Sequence, residues 1–386
     1  MHAACHERQA HVMRQYRFTS TNPDKRDKKM KTRSSQSGIK KIAALALTAV
    51  MFSWLPASAQ TQTQASPETS AKTGIEMHGK GQFAPSRYGK IYYETEGAGS
   101  PVFLIAGGPG SSHASFHPWF SRLAAEHTVV YLDNIGRGRS DRLDPKRASE
   151  YTVERDAEDI EALRIALGYD RISLLGHSYG GMPALAYALK YPQHVAKLVL
   201  SSTMLNAHSW QQNIDSVNFT ARNQFPEIWQ QLMQLRAHGV KSSAPEYGKL
   251  YGETELDIYW RDPDMESKLY SSGDPADAAN SDVYLSFIGQ DPEWQVGGTM
   301  KHYDPRPRMS AFTVPTLVAA GRYDRVGTPR IASEIKAALP AASSRMVVFE
   351  RSGHRPWVEE TDAYFSLLKE FFQSGDDRTV QKVSAQ

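Results

Sequence analysis

The stretch RISLLGHSYGGM, residues 171–182, runs from a β-rich segment (residues 171–175) through Gly176-His177-Ser178-Tyr179-Gly180 into a helical pattern that starts near Met182. A strand that turns this sharply into a helix needs glycine on both sides of the turn, and it holds the central serine in a strained conformation above a sheet. The hydroxyl is then exposed at a helix N-terminus, where the aligned peptide dipoles favour developing negative charge. The pentapeptide alone arises by chance, and a plain turn serine is the competing reading. The strand–turn–helix setting makes Ser178 the candidate nucleophile.

A hydroxyl is a weak nucleophile and needs a base that is itself oriented by a carboxylate. Around such a turn the partners follow in the order Ser, Asp or Glu, His. Asp324 stands in Gly321-Arg322-Tyr323-Asp324, just beyond the strand-like TLVAA, and His354 in Ser352-Gly353-His354, just beyond MVVFE. Both positions are loops at the carboxyl ends of strands, where ligands bind in open α/β sheets. Charge developing on a carbonyl oxygen would need preorganised N–H donors. The backbone N–H of Tyr179 is one candidate. The loop Ala106-Gly107-Gly108-Pro109-Gly110, after the strand VFLI, offers Gly108 first and Gly107 second, because glycine lets the backbone approach a substrate closely. Chemistry of this kind calls for no cofactor and no metal.

Outward from this centre, β-rich and helical patterns alternate. Strands are expected at 91–95, 102–105, 128–132, 171–175, 195–200, 316–320 and 345–350. Helices are expected at 116–126, from a Thr152 cap to Leu167, and at 182–190, 329–339 and 358–372. Alternating β and α with near-continuous apolar strands implies a mostly parallel sheet covered by helices on both faces. The alternation fails over residues 205–308, which are rich in Trp, Tyr, Gln, Asp and Pro. That segment reads as a helical cap domain inserted between two parts of the core, 74–204 and 309–375. Residues 376–386 read as a polar, flexible tail.

The net charge of +3 over 386 residues is misleading. The first 59 residues carry 11 of the 45 Lys+Arg and 3 of the 42 Asp+Glu, which leaves 34 basic and 39 acidic side chains in residues 60–386, a net of −5. A mildly acidic body excludes a nucleic-acid-binding face or a membrane-binding basic patch. Lys40 and Lys41 precede an uncharged run from Ile42 to Leu55, and Ala57-Ser58-Ala59 follows Pro56. This pattern describes a secretory signal peptide over residues 30–59. The apolar run is short for a bilayer span, so no stable membrane association is expected after cleavage. Residues 1–29 do not fit such a signal and read as an extension upstream of a better start at Met30. Residues 60–73 read as a linker. The one cysteine, Cys5, lies in that extension, so the exported body has no disulfide, zinc–cysteine site or thiol nucleophile.

GGPG after a core strand, Asp133-Asn134 followed by Gly-x-Gly-x-Ser140, GHSYGG, GRYD and SGHRPWVEE, in this order over about residues 75–375, resemble the proline iminopeptidase family of α/β-hydrolases. The resemblance implies the α/β-hydrolase fold and release of N-terminal residues, proline or others, from small peptides or amino-acid amides. It also implies a Ser178–Asp324–His354 triad that acts through an acyl-enzyme. Three positions depart from the family pattern: Ala106 stands for a His, Asn134-Ile135 for Gln-Arg, and Tyr179 for a Trp common among proline-specific members. Recognition of a free amine calls for carboxylates in an otherwise apolar pocket. Among the acids of the cap, Glu253 and Glu255 are the candidates, against the simpler reading of ordinary surface acids. His177 reads as a packing residue, His113 and His117 as pocket or surface residues, and Asp133 as a support of loop geometry. Arg137 and Arg139 lie in a Gly-rich turn without a phosphate-binding pattern. A carboxylesterase or lactonase would use the same triad, and a non-catalytic ligand-binding member would leave it idle. Neither is separated from a peptidase by these motifs, and the oligomeric state is not written in them.

Overall fold

Alternate residues of each central strand go to opposite faces of one sheet, and both faces are buried. The computed structural model describes residues 81–374 except Glu255, so the expected leader, linker and tail lie outside the described residues. The strands are β1 (Gln82–Ser86), β2 (Gly89–Glu96), β3 (Ser100–Ile105), β4 (His127–Leu132), β5 (Ile172–His177), β6 (Val195–Ser201), β7 (Thr316–Gly321) and β8 (Ser344–Phe349). They line up in the order β1-β2-β4-β3-β5-β6-β7-β8. β1 and β2 pair antiparallel, as do β2 and β4, and every later pairing is parallel.

Phe103, Ile105, Val130, Leu132, Leu174, Leu198 and Val318 pack into one core cluster. Their neighbours Val102, Leu104, Val129, Tyr131, Leu175, Val199 and Leu317 pack into a second. A period-2 strand with both faces dry reads as an unbroken apolar run, which is why these strands were legible. Helices α1 (Val153–Ala166), α2 (Gly181–Lys190) and α7 (Pro329–Ala338) contribute to the first cluster, and α8 (Pro356–Glu359) and α9 (Thr361–Gln373) to the second. The Thr152 hydroxyl accepts from the Arg155 N–H and caps α1, as its sequence predicts.

Between β6 and β7 the chain forms α3 (Ala207–Gln224), α4 (Pro226–Ala237), α5 (Pro245–Gly252) and α6 (Ser281–Ile288), joined by loops and short turns. The architecture is therefore an α/β core with a helical insertion.

Two helices differ from expectation. The helix expected over 116–126 is two short 3-10 turns, His113–Phe116 and Trp119–Leu123. Pro118 lies between them, where it lacks a backbone N–H and disfavours the helical region for His117. The helix expected over 358–372 starts earlier, at Pro356, and breaks at Glu360, whose backbone leaves helical geometry (φ −129°, ψ 52°).

The parallel register sets the site. Ile105 lies opposite Gly176, His177 opposite Ser201, and Gly321 opposite Phe349. The loops that leave β3, β5, β7 and β8 therefore open on the same edge of the sheet, the carboxyl edge.

Candidate active site

Ser178 has φ 53°, in the left-handed region that non-glycine residues rarely occupy. It follows the last residue of β5, and a helical turn continues directly into α2. Ser178 is partly exposed while His177, Tyr179, Gly180 and Gly181 around it are buried. A side chain on Gly180 would place its Cβ 2.1 Å from the Ile105 carbonyl oxygen, so this corner admits only glycine. Strain of this kind costs about 1–3 kcal/mol and persists where the surroundings over-determine it.

Asp324 and His354 meet at the same edge. His354 Nδ1 lies 3.0 and 2.9 Å from the two carboxylate oxygens of Asp324, and both residues are buried. Asp324 Oδ1 also accepts from the backbone N–H groups of Val326 (2.7 Å) and Gly327 (2.9 Å), which holds the carboxylate in place. The His354 loop is pinned from two sides. Its own N–H donates to the Tyr259 carbonyl at 2.6 Å, a contact from the insertion. Glu359 accepts from the N–H groups of Gly353, Arg261 and Asp262, while Glu360 accepts from Arg351 N–H and the Ser352 hydroxyl. Those backbone bonds are what the break between α8 and α9 serves.

His177 packs under this pair. Its ring lies 4.6 Å from that of His354 and 4.4 Å from that of Trp357, and its Nδ1 is 3.2 Å from the Ser201 carbonyl. Burial, with His354 and Arg355 nearby, holds it well below the ordinary histidine range and so neutral.

The loop after β3 comes up against the nucleophile. A Cβ on Gly107 would sit 2.8 Å from Ser178 Cβ, and Gly108 has φ 71°. The backbone of residues 107–108 is thus in reach of an atom bonded to the Ser178 oxygen, as oxyanion donors must be. Arg137 holds this loop from below. Its Nε donates to the Pro109 carbonyl (2.5 Å), and its other nitrogens form a two-pronged pair with Asp156 of α1 (2.8 and 2.7 Å). Asp156 Oδ2 also accepts from the Tyr179 hydroxyl at 2.7 Å. The Arg137 guanidinium lies 5.0 Å from the Phe287 ring of α6. One buried cation therefore joins the candidate oxyanion loop, the turn carrying Ser178, α1 and the insertion.

With this geometry in view, comparison with known proteins is decisive. The family model described as the alpha/beta hydrolase fold matches residues 100–361. A proline iminopeptidase of Saccharolobus solfataricus is 31% identical over 300 residues, covering 75% of this chain and 89% of the relative. The chain belongs to the proline iminopeptidase family of α/β-hydrolases. It is an enzyme, a hydrolase. A proline iminopeptidase of Heyndrickxia coagulans is 29% identical over 288 residues, covering 73% of this chain and 93% of that protein. Among solved structures, the proline iminopeptidase of Mycobacterium smegmatis superposes with a TM-score of 0.61 at 22% identity, over 76% of this chain and 97% of that one. An esterase from Exiguobacterium antarcticum superposes with a TM-score of 0.52 at 22% identity, over 76% of this chain and all of that one. At that identity the two structures speak for the fold alone.

Two of the departures from the family pattern have local explanations, and nothing in the structure explains Ala106. Asn134 and Ile135 are buried, and Asp159 of α1 accepts from the Asn134 side chain (3.2 Å) and the Ile135 N–H (3.0 Å). Tyr179 adds a hydroxyl that a Trp could not offer to Asp156. Asp133 accepts from the N–H groups of His113 and Arg139, so it does support loop geometry.

Other expectations need revision. His113 and His117 are both buried, which removes a surface role. Arg137, read from sequence only as lying in a Gly-rich turn, bonds the nearby Ile135 carbonyl and also Asp156 and Pro109, 19 and 28 residues away, to which no local pattern points. Glu253 is exposed at the C-terminal end of α5, unlike a carboxylate in an apolar pocket. Glu255 lies outside the described residues. In the insertion, burial and the neighbouring Asp291 carboxylate push the Glu293 carboxyl up to about 7.

Proposed function

We propose that the protein is an exported serine aminopeptidase that releases N-terminal residues, proline or others, from small peptides or amino-acid amides. The observation that carries this reading is the buried His354–Asp324 pair, fixed by two backbone N–H groups, at the sheet edge where Ser178 stands in its left-handed turn. Family membership supplies the amide substrate class.

In this reading His354 takes the Ser178 proton as the oxygen attacks the scissile carbonyl. Asp324 keeps Nδ1 protonated and stabilises the imidazolium that forms. The N–H groups of Tyr179 and Gly108, with Gly107 second, receive the negative oxygen. His354 then protonates the leaving amine. Water, activated by the same imidazole, splits the acyl-enzyme and restores the Ser178 hydroxyl. Neutral His177 below adds no second cation to compete with the His354 imidazolium.

Export rests on the leader: Lys40-Lys41, the apolar run 42–55 and Ala57-Ser58-Ala59. Among the described residues no helix is long and apolar enough to cross a membrane. N-terminal sequencing of the mature protein should begin at Gln60, and an intact leader on exported protein would contradict the proposal.

The activity is tested with matched amino-acyl chromogenic amides, one series with a free amine and one acetylated. Release from the free-amine series, lost in Ser178→Ala, is the expected result. Equal rates on both series would point to an esterase-like or general amidase specificity instead. Undiminished turnover by Ser178→Ala would overturn the nucleophile.

A further inference from the structure

Close behind the candidate oxyanion loop, two imidazoles and a carboxylate converge in the interior. His113 and His117 follow the GGPG loop four residues apart, and Glu94 comes from β2. Their side chains are 1%, 6% and 2% exposed. His113 Nε2 lies 3.2 Å from Glu94 Oε1, and His117 Nε2 lies 3.2 Å from Glu94 Oε2. Neither contact has the geometry of a hydrogen bond, and His113 Nε2, His117 Nε2 and Glu94 Oε2 are all left without a hydrogen-bond partner. One ligand atom from each of the three residues lies within 4.8 Å of the others. Three unsatisfied polar atoms buried in one place are costly, and a native fold accounts for such groups with a partner.

The far sides of the three groups are occupied. His113 Nδ1 lies 2.9 Å from Asp133 Oδ1, and His117 Nδ1 lies 3.8 Å from Glu96 Oε1. Glu94 Oε1 accepts from the Tyr92 hydroxyl at 2.6 Å. The Nε2 atoms of both rings therefore face the Glu94 carboxylate, His113 at Oε1 and His117 at Oε2. Three carboxylates (Glu94, Glu96 and Asp133) surround the rings, and Arg139, 3.7 Å from Glu94, is the cation in contact with them. Arg139 also pairs with Asp274 (2.9 Å) and Asp277 (3.0 Å), so with both imidazoles neutral the carboxylates here outnumber the cations.

We propose that Glu94, His113 and His117 bind one divalent transition-metal ion of the zinc class, as a structural site distinct from the serine centre. Two imidazoles and a carboxylate suit zinc, whose bonds to such ligands are about 2.0–2.2 Å long. At a tetrahedral angle those bonds put ligand atoms roughly 3.4 Å apart; each imidazole lies 3.2 Å from one Glu94 oxygen, and one ligand atom from each residue lies within 4.8 Å of the others. His113 Nδ1 lies 2.9 Å from Asp133 Oδ1, the kind of carboxylate contact that orients a metal-bound histidine. A divalent ion also offsets part of this excess negative charge. It would tie residues 113–117 to β2 and so steady the loop 106–112 that borders Ser178. Three protein donors leave a fourth position for water.

The rival explanation is two protons in place of the ion. Burial alone would lower His113, but the Asp133 and Glu94 carboxylates outweigh it and push it up to about 10. Metal analysis separates the two without reference to activity. The full chain, carrying an affinity tag free of histidine, is expressed in zinc-supplemented medium and purified without chelator. About one equivalent of zinc is expected by elemental mass spectrometry. It should fall at least tenfold in Glu94→Gln and in His117→Gln, each checked for native circular dichroism. Should those variants not fold, X-ray absorption at the zinc edge of the unaltered protein decides the matter. Two imidazoles with oxygen at about 2.0–2.1 Å and no sulfur are expected. Wild-type protein without bound zinc, both as purified and after refolding with zinc present, overturns the site in favour of the protonated cluster. So does zinc held equally by folded variants, or a sulfur ligand, which would place the ion at Cys5.

Discussion

The Tyr179 hydroxyl donates to Asp156 Oδ2 at 2.7 Å, so the residue after the candidate nucleophile is tied by its side chain to helix α1. The same carboxylate holds Arg137 in a two-pronged pair. The turn and the loop facing it therefore share one anchor, and their spacing does not depend on either alone.

Tyr179→Phe removes one hydrogen bond and leaves the Arg137–Asp156 pair intact. A loss of about 1–2 kcal/mol in urea unfolding is expected, with kcat reduced and KM little changed. Arg137→Ala removes the two-pronged partner of Asp156, which keeps Arg155 (3.0 Å) and the Tyr179 hydroxyl, and frees the Pro109 carbonyl. It should cost about 2–3 kcal/mol. A smaller loss for Arg137→Ala than for Tyr179→Phe would contradict the shared anchor.

The proposed nucleophile Ser178 also carries a strained backbone, and two substitutions separate chemistry from strain. Ser178→Ala and Ser178→Gly should both lose roughly 10⁴-fold or more in kcat. Only glycine relaxes the left-handed backbone at φ 53°. Ser178→Gly should therefore be more stable than Ser178→Ala by about 1 kcal/mol in thermal or urea unfolding. Equal stability would mean that the turn is not strained in solution.

Gly107→Ala would bring a methyl group to 2.8 Å from Ser178 Cβ and 2.9 Å from His177 Cδ2. The loop must retreat, taking its N–H groups with it. A misplacement of about 1 Å at reacting groups costs on the order of 10²-fold, so kcat should fall by about that factor. Steady-state kinetics on a free-amine amide would check it, and an unchanged kcat would remove this loop from the oxyanion site.

Glu293 gives the fold a pH dependence of known sign. Its folded carboxyl, raised by burial and by Asp291, titrates near 7 against an ordinary value of 4.5. Between these values the folded state holds a proton that the unfolded state has released, so stability falls as pH rises from about 4.5 to 7. Glu293→Gln should flatten that part of the profile. Urea midpoints at pH 5 and pH 7.5, compared between the two proteins, measure it. Parallel profiles would show that Glu293 is solvated and titrates normally.

Much of the fold could be read along the chain because its cues are local. The central strands β3 to β7 are buried on both faces and so are mostly apolar, and Thr152 sits where α1 needs a cap. The helix misplaced over 116–126 shows the limit of pattern. Apolar spacing suggested one helix, but Pro118 divides it into two turns. Likewise Glu359 and Glu360 fall within the helix expected over 358–372, yet their carboxylates serve backbone N–H groups of Gly353 and Arg351, as well as of Arg261 and Asp262 in the insertion.

Ser178, Asp324 and His354 were each recognisable from a few neighbouring residues, because a strand end followed by a tight turn is specified by the segment itself. That Asp324 meets His354 on the edge where Ser178 stands is a matter of register: the parallel pairing of β3, β5, β6, β7 and β8 brings four loops to one edge. The partners of buried polar groups were beyond local reading altogether. Arg137 finds Asp156 and Pro109, and Glu94 finds His113 and His117, only when distant segments pack and water is removed. Burial makes each charge seek its complement across space, with no regard for distance along the chain.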